Sequence, residues 1–281
     1  MFISTKNIVV AFLLTLSVIG VRAQDLSLEQ NFQNPPSEAK AYTWWHWING
    51  NVSKEGITTD LEAMKNIGIH GVQLFNVTLG NPEGSATYLS DEWLDLFEFS
   101  AQEAKRLGLE LGFHNCPGWS SSGGPWITPE YAMQNLVFSE VVHLGGKTFT
   151  GHLPQPEIKL DYYKDIVVLA FPKPKSDERI DDLDFKILSE KIRNHLTPDA
   201  KPISESALVY QKEIIDLTEK VSADGMLEWN APEGEWLILR IGHTPTGAIN
   251  RFASEGGKGL ECDKMSRKAV DVFWEGGITP I

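Results

Sequence analysis

Two consecutive stretches of this chain follow the same plan, and that repetition restricts the fold more than any other feature. In the first, Ile57, Leu61, Met64 and Ile67 recur at helical spacing, Gly68 ends the run, and Ile69 to Phe75 reads as a buried strand. In the second, Trp93, Phe97, Ala101 and Ala104 line one helical face, Lys105-Arg106 occupy the last turn, and Leu109 to Phe113 forms the next strand. Ile67-Gly68-Ile69 and Leu107-Gly108-Leu109 thus sit at equivalent helix-to-strand joints, as successive βα units of a parallel sheet require. Thr59 with Glu62 is predicted to box the start of the first helix, and Ser90, followed by Asp91 and Glu92, to cap the second. A strand at about Ala41 to Trp47 precedes both units, and right-handed crossovers follow from the topology.

The pattern then changes. From about Leu136 to Thr246 the sequence offers short β-like runs: Val137 to Leu144, Ile166 to Phe171, Ala207 to Tyr210, Met226 to Trp229 and Trp236 to Ile241. Gly145-Gly146, Pro172-Lys173-Pro174, Asp224-Gly225 and Pro232-Glu233-Gly234 punctuate them, which reads most simply as a sandwich inserted in the α/β domain. Asp181 to His195 is either a helix or a polar excursion within it. Helical spacing returns over Glu261 to Trp274, with Met265, Ala269, Val272 and Phe273 apolar, and closes at Gly276-Gly277. The expected organisation is a leader at 1–23, a linker at 24–40 with Pro35-Pro36, first βα units at 41–135, a β-rich insert at 136–250, and a resumed α/β region at 251–281. Three parallel strands do not close a barrel, so the resumed region is expected to be truncated.

Lys6, an apolar run from Ile8 to Val21, and small residues at Val21 and Ala23 predict a signal peptide cleaved after Ala23; an uncleaved anchor is the alternative. No later segment is long and apolar enough to span a bilayer, so the expected location is periplasmic or secreted. A formal charge of -13 without a local basic cluster argues against a nucleic-acid partner and suits a neutral small molecule or glycan. Cys116 and Cys262 are the two cysteines; in an oxidising compartment they can pair or stay free, and two isolated cysteines do not make a zinc site.

Trp44-Trp45-His46-Trp47, with Asn49 just after, concentrates indoles and neutral hydrogen-bonding groups at the end of the first strand. Such a tract is either packed core or a sugar platform, because indoles bury large area at little rotamer cost and carry a polar edge. Trp47 and Asn49, Phe75 and Asn76, and His114 and Asn115 mark the ends of three consecutive strands, where barrel enzymes assemble their sites. Asparagine at a strand end commonly just makes a turn. Recurrence at three ends favours a shared site built from Trp45, His46, Trp47, Asn76, His114, Asn115 and Trp119. Trp119 lies in the Gly-, Ser- and Trp-rich run Cys116 to Trp126, expected to be a mobile, surface-directed lid or subsite wall.

Other chemistries are poorly supplied. GxGxxG, the P-loop lysine, HExxH and the GxSxG elbow are missing from the sequence. Glycoside hydrolysis needs two carboxylates about 5 to 9.5 Å apart. Glu255, Glu261 and Asp263 precede the last helix, where Asp263 reads better as its cap, and no pair is marked as acid and base.

Several blocks in order resemble the catalytic region of glycoside hydrolase family 106, the α-L-rhamnosidases. They are Trp44 to Val52, Gly56 to Leu61, Gly71 to Phe75, His114 to Trp119, Gly242 to Gly247 and Gly259 to Ser266. The resemblance implies an α/β fold, the first units of a (β/α)8 TIM-type barrel interrupted by an all-β sandwich-like insert. It also implies export by bacteria that degrade plant polysaccharides, inverting hydrolysis of terminal α-L-rhamnosides, and a calcium ion at the site. Members of that family are much longer, with catalytic glutamates expected on later strands beyond Ile281; no catalytic residue or calcium ligand transfers to a position here. The chain alone is therefore expected to be an inactive amino-terminal portion, the alternative being a noncatalytic glycan-binding protein on the same scaffold.

Overall fold

The computed structural model describes residues 28–180 and 201–281, so the predicted leader and the Asp181 to His195 excursion lie outside the described residues. The region expected as a linker carries a short helix, α1 (Leu28–Gln33), and a 3-10 turn at Ser37–Ala39, neither with a buried residue. Then come β1 (Tyr42–Ile48), α2 (Lys54–Asn66), β2 (Gly71–Val77), α3 (Asp91–Leu107) and β3 (Glu110–Phe113). The three strands form one open parallel sheet in the order β1-β2-β3.

Both helices pack on the same face of this sheet. Ile57 and Leu61 of α2, and Trp93, Leu96 and Ala104 of α3, join Trp45, Trp47, Val72 and Leu74 in one buried cluster. α3 is the predicted helix in its caps: Ser90 accepts from the Trp93 amide, and Gly108 closes it in the left-handed region at φ 64°. Its buried stripe differs from the expected one, because Ser100 faces the core while Ala101 is exposed. α2 departs more. Its cap is Ser53, whose hydroxyl accepts from the Gly56 amide, so the helix begins earlier than Thr59 and Glu62 imply. Thr59 is instead an interior residue whose hydroxyl donates to the Glu55 carbonyl at 2.9 Å.

The central region is β-rich. β4 (Gln134–Leu144), β6 (Lys164–Pro172), β7 (Ile215–Asp216) and β9 (Glu235–Pro245) form an antiparallel sheet in the order β4-β9-β6-β7, and β5 (Thr148–His152) pairs with β8 (Met226–Asn230). Val168, Ala170, Leu227, Trp229 and Ile238 from both sheets share one apolar cluster. Ala207 to Tyr210, expected as a strand, is not one: 3-10 turns stand at Glu205–Ala207 and Gln211–Glu213. β5 and β7 escaped the sequence reading, and both are short. Arg240, 5% exposed, donates through Nε and Nη2 to Asp165 at 2.8 and 2.7 Å and through Nη1 to the Leu153 carbonyl, tying β9 to β6.

The β-rich region leaves and rejoins the α/β part at one place, where the Thr246 amide donates to the Met133 carbonyl at 2.7 Å. The last helix, α4, spans Arg267–Gly277 rather than starting at Glu261. Ser266 caps it, accepting from the Ala269 amide, whereas Asp263 accepts from the Met265 amide and makes a turn before it. Ala269 and Phe273 are buried as expected, but Met265 precedes the helix and is 95% exposed.

Candidate functional site

Side chains of a strand alternate between faces, and in a parallel pair residues in register share a face. In β1 this separates Trp44 and His46 from Trp45 and Trp47. Trp45 and Trp47 are 4% and 3% exposed and point into the helix-side core. The indole of Trp45 donates to Asp60 at 3.0 Å, while that of Trp47 is buried without a partner among the described residues. Asn76, in register with Trp47, lies on the same side, and its Oδ1 accepts from the Trp93 indole at 2.8 Å. These three predicted site residues serve the core in the geometry seen here. Trp47 also lines, with His46, Asn51, Ser53, Asp60 and Ser85, a cleft of about 400 Å³ between the end of β1 and the start of α2.

The face without helices carries a different set. His46 pairs in register with Phe75, and His114 follows directly on Phe113, which pairs with Leu74. His46, Phe75 and His114 therefore form a row across the carboxyl ends of three strands. Phe75 is 2% exposed because aromatic rings cover it: His114 at 4.5 Å between centroids, Trp119 at 4.8 Å, Trp44 at 5.1 Å and His46 at 5.6 Å. Above it Trp44 and Trp119 stay 55% and 54% exposed. In the next row down, Gln73 lies across Gly112, where any Cβ would meet its amide oxygen.

Trp119 owes its position to a loop that is pinned rather than mobile. Cys116, Pro117, Gly118, Ser120, Ser122, Gly123 and Gly124 are buried, which corrects the expectation of a surface-directed lid while leaving that of a wall. The Gly118 amide donates to the Asn76 carbonyl and the Trp119 amide to the Arg251 carbonyl, both at 2.8 Å. Gly118 adopts φ 82° with the Arg251 carbonyl 2.4 Å from where a Cβ would lie, so only glycine fits. Asn250, 0% exposed, donates to the Pro117 and Gly257 carbonyls at 3.1 and 2.8 Å and accepts from the Gly259 amide at 2.8 Å. Sequence reading missed Asn250, which stands in no motif; it missed Trp44 as a site residue although period-two alternation singles it out.

Asn115 is exposed beside this row, and Asn49 takes φ 49° and donates to the Asn81 carbonyl at 2.8 Å, a turn function. The three carboxylates noted ahead of the last helix are each engaged locally. Glu255 pairs with Lys258, Glu261 accepts from Ser120 and from Lys264, and Asp263 holds its turn. Among the described residues no three His, Cys, Asp or Glu side chains converge to hold a metal ion. Cys116 and Cys262 share one buried cluster as free thiols; burial pushes Cys116 up to about 12 and raises Cys262 as well. Among the described residues no helix is long and apolar enough to cross a membrane.

What the open face offers is a rigid apolar platform edged by two imidazoles and two indoles. Such a surface stacks against the C–H face of a pyranose and hydrogen-bonds its hydroxyls. The chain is similar to a Formosa agariphila protein named "Putative beta-glucuronidase", 62% identical over 278 residues, which are 98% of this chain and 24% of that protein. It is similar in structure to a rhamnosidase from a Novosphingobium species, with a TM-score of 0.71 and 27% identity over 90% of this chain and 37% of the other. The chain thus spans about a quarter of one relative and little more than a third of the other. A family model described as alpha-L-rhamnosidase matches residues 33–280, and the chain belongs to that family, glycoside hydrolase family 106.

Proposed function

We propose that this chain supplies one wall of the sugar site of an exported glycoside hydrolase acting on terminal α-L-rhamnosides of polysaccharides, plant ones among them. The observation that carries the reading is the helix-free sheet face, where Trp44, His46, Phe75, His114 and Trp119 form a continuous aromatic surface at the strand ends. In this reading β1, β2 and β3 begin a (β/α)8 barrel, so the helix side is its outside and the aromatic face its interior. The β-rich region interrupts that barrel.

The mechanism is inverting, with a general acid and a general base on opposite sides of the sugar. In this reading both carboxylates, and any calcium ligands, belong to the part of the relatives' length that these 281 residues do not cover. The local engagement of Glu255, Glu261 and Asp263 supports this. The name of the Formosa agariphila relative favours a second substrate, a glucuronide, on the same scaffold, since fold does not fix substrate. The aromatic wall lies wholly within this chain, which also keeps a noncatalytic glycan-binding role open to test.

The experiment is turnover of aryl α-L-rhamnoside and aryl β-glucuronide by purified residues 24–281 and by a longer polypeptide that includes them. The short chain is expected to be inactive and the longer one to cleave the rhamnoside. Turnover by the short chain would place the carboxylates within it, and cleavage of the glucuronide alone would replace the substrate.

A further inference from the structure

A neutral imidazole has one N–H and one lone pair, and its partners decide which nitrogen carries which. His114 Nδ1 lies 2.7 Å from the Cys116 carbonyl oxygen. A carbonyl can only accept, so Nδ1 is the donor and the lone pair is left on Nε2. Among the described residues Nε2 has no hydrogen-bond partner, and the ring is held edge-on to Phe75 at 4.5 Å.

The carbonyl that sets this state is itself fixed. Cys116 is 1% exposed, and the following Pro117 has a locked φ. Asn250 grips the Pro117 carbonyl, while Gly118 and Trp119 are hydrogen-bonded on either side of the sheet end. His46 differs: it makes ring contacts to Trp44, Phe75 and Trp119, but no hydrogen bond among the described residues selects its tautomer.

We infer that His114 is locked in its Nδ1–H tautomer by the Cys116 carbonyl, so that Nε2 is the acceptor for a sugar hydroxyl on the aromatic wall, with Asn250 as the positioning residue behind it. The inference rests on the open face being a sugar wall. It specifies the ligand further: a neutral sugar that presents a hydroxyl hydrogen to Nε2. An obligate acceptor gives the wall a direction that indole N–H groups, which only donate, do not supply.

The test is a long-range proton–nitrogen NMR spectrum of the histidine-labelled chain, recorded before and after adding methyl α-L-rhamnoside, with tryptophan fluorescence reporting binding independently. The expected result is an N–H at Nδ1 and a lone-pair resonance at Nε2 that moves when the sugar binds. His114→Asn retains a donor near the Nδ1 position but removes Nε2, and should weaken binding roughly three- to tenfold, the worth of one hydrogen bond. His114→Gln, whose amide reaches further, should recover part of the loss. Asn250→Asp, which withdraws the donor to Pro117, should broaden or mix the tautomer signal.

A proton on Nε2 in the free chain would overturn the inference whatever the sugar does. Fluorescence-detected binding with Nε2 unmoved, or with His114→Asn equal to the parent, would overturn the acceptor role and leave the wall standing. Absence of binding by both methods would overturn the wall and the inference with it.

Discussion

Trp44 and Trp47 stand on the same strand with opposite surroundings, and truncating them should have unequal consequences. Trp47→Ala empties a core position and is expected to cost about 3–5 kcal/mol of stability, read from chemical denaturation. Trp44→Ala removes a half-exposed ring from the open face and should cost clearly less, about 1 kcal/mol, the worth of its contact with Phe75. The thiols offer a second check at this scale. Cys116 and Cys262 are 1% and 0% exposed, and burial raises both thiols, so both should resist alkylation until the chain is unfolded. Rapid labelling of the native chain would contradict their burial. At this scale the sequence was partly legible. It marked the Trp44 to Trp47 tract and the His114 region, but it grouped neighbours along the chain, whereas a strand sends neighbours to opposite faces. Trp45, Trp47 and Asn76 therefore stand on the helix side, and Trp44 and Phe75 on the open face.

Among the elements, caps and joints carry the testable content. Ser90→Ala should cost α3 about 1 kcal/mol, and Ser53→Ala should do the same for α2, while Thr59→Ala should cost little because it is not the cap. Equal losses at Ser53 and Thr59 would contradict the helix start. The two βα units were readable because Gly68 and Gly108 close helices with a clear apolar period, and the parallel sheet followed from them. The start of α2 was less so, since Ser53 and Thr59 both precede apolar residues at helical spacing and only tertiary packing chooses between them. In the β-rich region, Arg240 holds the Asp165 carboxyl below the usual carboxylate range. A lowered folded-state pKa stabilises above the unfolded value and is lost as pH falls through the folded one, so that contribution should fade below about pH 4. Asp165→Asn should flatten this acid dependence in a pH series of melting curves; an unchanged slope would contradict it.

For the molecule as a whole, the resemblance read from six sequence blocks is matched by family membership over residues 33–280. The site was less legible than the family, because what places Trp119 and His114 is a clamp from the far side of the β-rich region. Asn250 and Arg251 hold the Cys116 to Trp119 loop although more than a hundred residues of chain intervene. No local pattern encodes such a contact. The central claim is that the helix-free face of the parallel sheet, not the helix-side tryptophans, contacts sugar. Calorimetric titration of methyl α-L-rhamnoside into the folded chain, its Trp119→Ala variant and its Trp44→Ala variant tests this most directly. The account predicts saturable binding by the parent and about three- to tenfold weaker binding by each folded variant, the worth of a lost stacking contact. Equal affinity in all three proteins would contradict it.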